Sequence, residues 1–297
     1  MRHQLPLRYL DTVARIGSIR KAAEQLSITS SALNRRIIAI EEDMGVPLFD
    51  RVAKGVRLNP AGELVIHHFR TQLAEMESVK SQIHDLQGVR RGHISIACSQ
   101  ALMVSVLPTE IISYKAQHPN VTFSVNVCTR HTVTSELQSF NADLAIVFEP
   151  ELTADFQSII SVPQQLYVQF CRSHALQGEG DVRLRDCLEW PLALPTKSNG
   201  VRHLIEKSVA NMSSPFDVSI ESDNFYLLRR VVELGNYVSF TVPAGLPAAN
   251  KNSTLSHRPV SLQDIPAGML HIGQLKGRHL SVAASKFLEQ LTQNLTK

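Results

Sequence analysis

Apolar Leu7, Leu10, Val13 and Ala14 recur at helical spacing, so a helix is expected over 5–16. Gly17 stops it, and Ser18 can cap the next helix. In that helix the small Ala22 and Ala23 let a neighbour approach closely. Ser27, Ile28 and Thr29 make a turn, and a second amphipathic helix is expected over about 30–44. Leu33, Ile37 and Ile40 form its buried face, with Ser31, Asn34 and Arg35 on other faces, and Gly45 and Pro47 end it. Residues 48–58 can fold as a two-stranded hairpin around Lys54-Gly55. Asn59 then offers an N-cap, with Pro60 at the first helical position.

A long helix is expected over roughly 60–88. Ile66, Phe69, Leu73, Met76, Val79 or Lys80, Ile83 and Leu86 step by threes and fours, as in a coiled-coil seam. So small a domain cannot cover this stripe, and dimerisation is the expected solution; the alternative is packing on the downstream domain. Residues 88–92 read as a linker.

Beyond the linker the pattern alternates. Strands are expected at 93–98, 121–127, 143–148, 166–171, 191–194, 218–222, 237–242 and 269–272. Helices are expected at 104–117, 134–140, 201–211, 224–234 and 281–295. This alternation predicts an α/β domain with mostly parallel strands. There are no internal repeats or low-complexity segments.

At 297 residues and 43% hydrophobic, the chain should form two or three domains with sizeable cores. It lacks a run of about 18 apolar residues and the apolar core of a signal peptide, so a cytoplasmic protein without a membrane partner is expected. The net charge of +3 is unevenly placed. Residues 1–60 carry ten basic and six acidic side chains, an excess of +4, and the rest sums to −1. A helix-turn-helix and basic hairpin carrying that excess read as a winged helix that binds duplex DNA. Cys98, Cys128, Cys171 and Cys187 are scattered without CxxC spacing, so neither a disulfide framework nor a zinc site is expected. His67 and His68 point different ways on their helix and make no metal pair. The chain has no HExxH, GxSxG or phosphate-binding loop, so no enzyme activity, cofactor or metal is expected.

The first third resembles the LysR-type transcriptional regulators. Gly17-Ser18, Ala22-Ala23, Leu26, Ile37, Glu41, Gly45, Leu48-Phe49, Arg51, Leu58 and Ala61-Gly62 stand at that family's spacing. Leu107-Pro108, His118-Pro119, DLAI at 143–146, SHAL at 173–176 and LSVAASKF at 280–287 extend the resemblance downstream. It implies a winged helix-turn-helix over 1–60, a linker and dimerisation helix over 61–91, and an effector domain over 92–297. That domain would resemble a type 2 periplasmic binding protein, with two α/β lobes joined by two crossovers. Lobe I would take about 92–162 and 267–297, and lobe II about 163–266. The expected function is a transcriptional regulator controlled by a small-molecule effector. The expected partners are an operator with inverted-repeat half-sites, a second copy in a homodimer or homotetramer, an organic effector, and RNA polymerase.

Two departures stand out. Asn34 replaces the family's usual serine in the recognition helix and can pair bidentately with adenine. Residues 233–240 (ELGNYVSF) replace a glycine-rich turn.

The early residues of the second helix should face base edges. Thr29, Ser30, Ser31, Asn34 and Arg35 form the expected reading surface. Arg36 is a candidate phosphate clamp, and Arg51, Lys54 and Arg57 are candidate backbone or minor-groove contacts of the wing. The alternative for each arginine is a solvated charge, or for Arg51 a partner within the domain. In the effector domain, ligands are expected where strand ends meet helix N-termini. The resemblance carries Ser99 as an effector contact, with Gln100 beside it. Phe148 is expected at the cleft end of its strand, either packed in the core or touching the ligand, in which case its bulk favours an organic one, and Thr196, Ser198 and Asn199 are expected to approach from the other lobe. Two competing classes are a solute-binding protein or enzyme on the same scaffold, and a redox-responsive regulator using its cysteines.

Overall fold

The computed structural model describes residues 4–53, 55–86, 91–210, 217–246 and 253–295. The chain divides into two units, Met1–Glu77 and Ser78–Lys297.

In the first unit, α1 (Gln4–Ile16) buries Tyr9, Leu10 and Val13. Gly17 ends it in a left-handed conformation, returning its N–H to the Val13 carbonyl at 2.8 Å. The Ser18 side chain caps α2 (Ile19–Gln25), whose Ala22 and Ala23 are buried against the neighbouring helices. Thr29 Oγ1 accepts from Ala32 N at 3.2 Å and so starts α3 (Ser30–Met44), which turns Leu33 and Ile37 inward. Strands β1 (Phe49–Val52) and β2 (Gly55–Leu58) pair antiparallel. Gly55 has φ +134, and Val56 N donates to the Gly17 carbonyl at 3.0 Å, so the hairpin docks on the turn after α1. Glu41 Oε1 accepts from Leu48 N and Phe49 N at 2.7 and 3.2 Å, tying the hairpin to α3. Asn59 Oδ1 caps α4 (Pro60–Leu86) by accepting from Gly62 N at 2.9 Å.

Ile66 and Phe69 of α4 are buried, and Arg70 donates to Asp11 at 2.7 Å. Further along, Met76, Val79 and Ile83 are 39%, 46% and 47% exposed, so this part of the seam is uncovered in one copy of the chain.

The second unit holds two lobes. Lobe I is a five-stranded sheet of β3 (Gly92–Cys98), β4 (Val121–Val127), β5 (Leu144–Phe148), β6 (Phe156–Gln164) and, returning late in the chain, Gly268–Leu275. Its helices are α5 (Val106–Gln117), α6 (Val133–Gln138) and, at the end of the chain, Val282–Leu295. Lobe II contains β7 (Tyr167–Cys171), α7 (Leu184–Leu188), β8 (Leu192–Pro195), α8 (Gly200–Val209), β9 (Val218–Ser222), α9 (Phe225–Leu234), β10 (Ser239–Thr241) and β11 (Leu255–Pro259). The returning strand and helix are β12 and α10.

The sheet order in lobe I is β4-β3-β5-β12-β6. β3 runs parallel to β4 and β5, whereas β12 runs antiparallel to β5 and β6. In lobe II β7 lies antiparallel between β10 and β11, while β8 and β9 are parallel. The expectation of mostly parallel strands is therefore corrected. Among the described residues, four of the seven strand pairings in this unit are antiparallel. The extra pairings come from β6 and β11, which the pattern of apolar positions did not mark. The core is continuous across both lobes and includes Ile96, Ile146, Phe148, Phe170, Leu194 and Phe240. Tyr114, Phe123 and Phe287 meet edge to face and seat α10 on lobe I.

Candidate functional site

The start of α3 is open. Thr29, Ser30, Ser31, Arg35 and Arg36 are exposed and Asn34 is half-buried. Thr29 spends its hydroxyl oxygen on the cap and lies 3.2 Å from Ser31 Oγ, so these two hydroxyls hold each other at the helix start. Arg36 is fixed from below: its Nη1 bonds Tyr9 Oη, and its guanidinium lies 4.6 Å from the centre of the Tyr9 ring. Stacking of this kind leaves less rotamer entropy to lose when a phosphate arrives.

Arg51 and Arg57 are exposed on the hairpin, Arg57 opposite Asp50 and Arg51 opposite Val56. Neither they nor Arg35 reaches a carboxylate among the described residues. Lys54 lies outside the described residues. The Tyr9 support and the Glu41 anchor had no part in the sequence-based list. The Tyr9 partner is 27 residues away, and Glu41 bonds backbone N–H groups, which leave no mark in the pattern of residue types.

In the second unit the strand ends of lobe I meet loops of lobe II. Ser99 follows β3, is 7% exposed, and begins a short 3₁₀ turn, Gln100–Val104. Its Oγ accepts from Phe148 N at 3.1 Å, which leaves the hydroxyl proton to donate elsewhere. Gln100 reaches the other lobe, where its Oε1 accepts from Phe225 N at the start of α9, at 3.0 Å. In the loop after β8, Thr196 Oγ1 and Ser198 Oγ are 3.2 Å apart, and Asn199 Oδ1 accepts from Val201 N at 2.9 Å as the cap of α8. Ser99, Gln100 and the 196–199 loop thus come together where the two lobes meet.

Of the two readings for Phe148, the structure has the packed one: the ring does not face the interlobe cleft openly. It is 2% exposed, and its ring is closed in by Gly268 and Gly200, where an added Cβ would come within 2.4 and 3.1 Å of ring atoms. Glycine at both positions lets the lobes close over the ring.

A residue missed from sequence is Arg130, between β4 and α6. Its backbone N–H donates to the Ser198 carbonyl at 3.3 Å, and its Nε to the Glu149 carbonyl at 3.0 Å. Glu149 stands nearby with a positive φ of 49, and His203 on α8 completes the group. Burial, followed by the charge of Arg130, holds the His203 imidazole below its ordinary pKa. A lone arginine in an irregular stretch carries no sequence signature; only the fold brings it to the cleft.

All four cysteines are free. Burial pushes the Cys98 thiol well above its ordinary value, and pushes Cys128 and Cys187 up to about 12. Such thiols carry almost no thiolate near neutral pH. Among the described residues no group of three or more His, Cys, Asp or Glu side chains could hold a metal, and no helix is long and apolar enough to cross a membrane.

A wing beside a reading helix with uncommitted arginines is a surface for gripping DNA, and a two-lobed α/β body with polar strand ends at its cleft is a ligand sensor. A chain with both is a ligand-responsive DNA-binding regulator. Residues 6–63 match the family described as bacterial regulatory helix-turn-helix protein, lysR family, and residues 87–296 match the LysR substrate binding domain. The chain belongs to the LysR family of transcriptional regulators, which pair a DNA-binding helix-turn-helix with an effector-binding domain and are not enzymes.

Among its relatives are the uncharacterized regulator YybE of Bacillus subtilis, 24% identical over 98% of both chains, and the transcriptional activator CmpR of Synechocystis, 23% identical over 94% of this chain and 91% of that one. The fold resembles full-length OxyR from Pseudomonas aeruginosa, with a TM-score of 0.71 and 18% identity over 98% of this chain and 94% of that one. It also resembles CbnR solved with its target DNA, with a TM-score of 0.63 and 16% identity over 98% and 99%.

Proposed function

We propose that two copies pair along the seam of α4 and present two α3 helices to the half-sites of an inverted repeat. A small organic molecule held between the lobes then shifts the arrangement of the DNA-binding heads. In this reading residues 1–60 form the DNA-binding domain, 61–91 the dimerisation helix and 92–297 the effector domain. The DNA contacts are Thr29, Ser30, Ser31, Asn34, Arg35, Arg36, Arg51, Lys54 and Arg57. The effector contacts are Ser99, Gln100, Thr196, Ser198 and Asn199, with Phe148 behind them as a packed wall. The protein acts in the cytoplasm, a homotetramer forms from two such dimers, and RNA polymerase at the neighbouring promoter is the downstream partner.

The observation that carries this reading is the run Met76, Val79 and Ile83, apolar at coiled-coil spacing and exposed in the single chain. The effector acts only through a difference in affinity between the two arrangements. The high proton affinity of the three buried thiols favours ligand control over cysteine oxidation.

The test is selection of genomic fragments by the purified full chain, then footprinting at two salt concentrations. A shared inverted repeat, protected as two half-sites one helical turn or a multiple apart, is the expected result. Recovery of unrelated fragments whose binding collapses with salt would replace it with non-specific phosphate attraction.

A further inference from the structure

We propose that Ile38 is a base-reading residue, its side chain meeting the 5-methyl group of a thymine in the major groove. This rests on reading α3 as the recognition helix, and it adds to the polar contacts an apolar one and the base that it selects.

The outward face of α3 runs Ser31, Arg35, Ile38 and Glu42, each three or four residues after the last and each exposed. At about 3.6 residues per turn, Ile38 falls about 40° from Asn34 and about 20° from Ser31 around the helix axis, inside the arc that Asn34 and Arg35 bound. Leu33 and Ile37, which carry the core contacts of the helix, lie about 100° or more away. Ile38 is 43% exposed, and among the described residues it is the one bulky apolar side chain on this face. A β-branched residue is a weaker helix former than Ala, Lys or Arg, so at an outward position it serves neither the helix nor the contact with water. Met44, 46% exposed at the end of α3, lies about 120° around the axis from Ile38, so the two do not make one patch.

The neighbouring side chains mark where this contact lies. Thr29 Oγ1 accepts from Ala32 N at 3.2 Å and stands 3.2 Å from Ser31 Oγ, so the first-turn hydroxyls are partly spent on the helix start. Arg36 is pinned to Tyr9. Glu41, on the turn after Ile38, accepts through Oε1 from Leu48 N and Phe49 N and ties the wing to α3. Ile38 thus occupies the turn between the polar reading residues and the anchor of the wing. The exposed Glu42, next along the outward face, repels phosphate, so the DNA-facing stretch of the helix ends at Ile38.

The dimensions agree. From Ser31 to Ile38 the helix advances about 10 Å, within a major groove about 12 Å wide. From Asn34 to Ile38 it advances about 6 Å, or one to two base-pair steps of about 3.4 Å. Thymine alone of the DNA bases carries a methyl group in that groove, and apolar side chains recognise it there. Ile38 therefore selects a thymine one or two base pairs from the pair that Asn34 meets.

The test is selection of duplexes from a random pool by the full chain, then binding to the best duplex with each thymine in turn replaced by deoxyuridine. That exchange removes the methyl and keeps every hydrogen bond. For the unaltered chain, one thymine per half-site should cost about three- to fivefold in affinity when it loses its methyl. Ile38→Ala, which favours the helix, should bind the unmodified duplex at least about threefold more weakly and become indifferent to uracil at that position alone. Ile38→Val should keep the response. An Ile38→Ala chain that still responds to uracil at every position where the unaltered chain does overturns the proposal, as does an unaltered chain for which no methyl matters. A shared selected sequence with no coupling to residue 38 removes Ile38 alone, whereas no shared sequence removes α3 as the reading helix and this proposal with it.

Discussion

The docking of the wing on the turn after α1 can be weighed with one methyl group. A Cβ at Gly55 would lie 2.1 Å from the Gly17 carbonyl oxygen, about 1 Å inside ordinary contact, on a backbone with φ +134. Gly55→Ala therefore meets two penalties. The backbone region costs about 1–3 kcal/mol for a side chain. Moving the hairpin away from the turn also gives up the Val56 N–H bond to Gly17 O, worth about 1 kcal/mol. The sum, about 2–4 kcal/mol, should speed amide exchange across residues 49–62 by about thirty- to a thousandfold, at 1.36 kcal/mol per decade. Gly45→Ala is the internal control. Gly45 has φ +71 at the end of α3, but a Cβ there meets nothing within 4 Å. It should cost only about 1 kcal/mol, or five- to tenfold in local exchange. Hydrogen exchange by mass spectrometry on the full chains measures both. Equal effects of the two substitutions, or unchanged exchange in Gly55→Ala, would refute the steric argument and release the wing from the turn.

Other outcomes follow from the same structure. Arg35→Ala should weaken operator binding and lower the salt slope by about one if Arg35 meets a phosphate; an unchanged affinity and slope removes it from the interface. His257 is held neutral at a pKa of about 4 by burial and then by Arg229, and its Nε2 lies 3.1 Å from Gln169 Oε1. The unfolded chain takes up this proton first, so the stabilisation is complete above pH 6.5 and declines as pH falls from 6.5 toward 4. Urea unfolding should show up to about 2–3 kcal/mol of loss over that window, and His257→Gln should flatten it. Timed alkylation of the folded chain should label half-exposed Cys171 ahead of Cys98, Cys128 and Cys187; rapid labelling of the buried three would reopen the redox-responsive alternative.

The helix-turn-helix was legible because each of its signals is local: a cap at Ser18, another at Thr29, and apolar Leu33 and Ile37 one helical turn apart. The strands with buried, regular patterns, such as LAIVF at β5, were equally plain. β6 was not, because it is an edge strand whose outward positions Ser158 and Ser161 are polar, and because it carries Pro163. The strand directions were misread for a related reason: periodicity marks a strand but not the neighbour it pairs with. At the cleft, Ser99 came from family spacing, whereas Arg130 depends on a bond to Ser198, 68 positions later. Phe148 stayed open between ligand contact and core packing because nothing local reveals that Gly200 and Gly268 close over its ring.

The pairing of β6 with β12 has a mechanical consequence. The chain leaves lobe I at Gln164 and re-enters it at Gly268, and these residues are direct partners in the ladder. The two covalent connections to lobe II thus run side by side as adjacent strands, and the shared core with the Gln100–Phe225 and Arg130–Ser198 bonds joins the lobes elsewhere. At that crossing point the buried Gln164 Oε1 accepts from Ala244 N in lobe II at 3.0 Å, so the residue that ends one lobe's edge strand also fastens the other lobe's backbone.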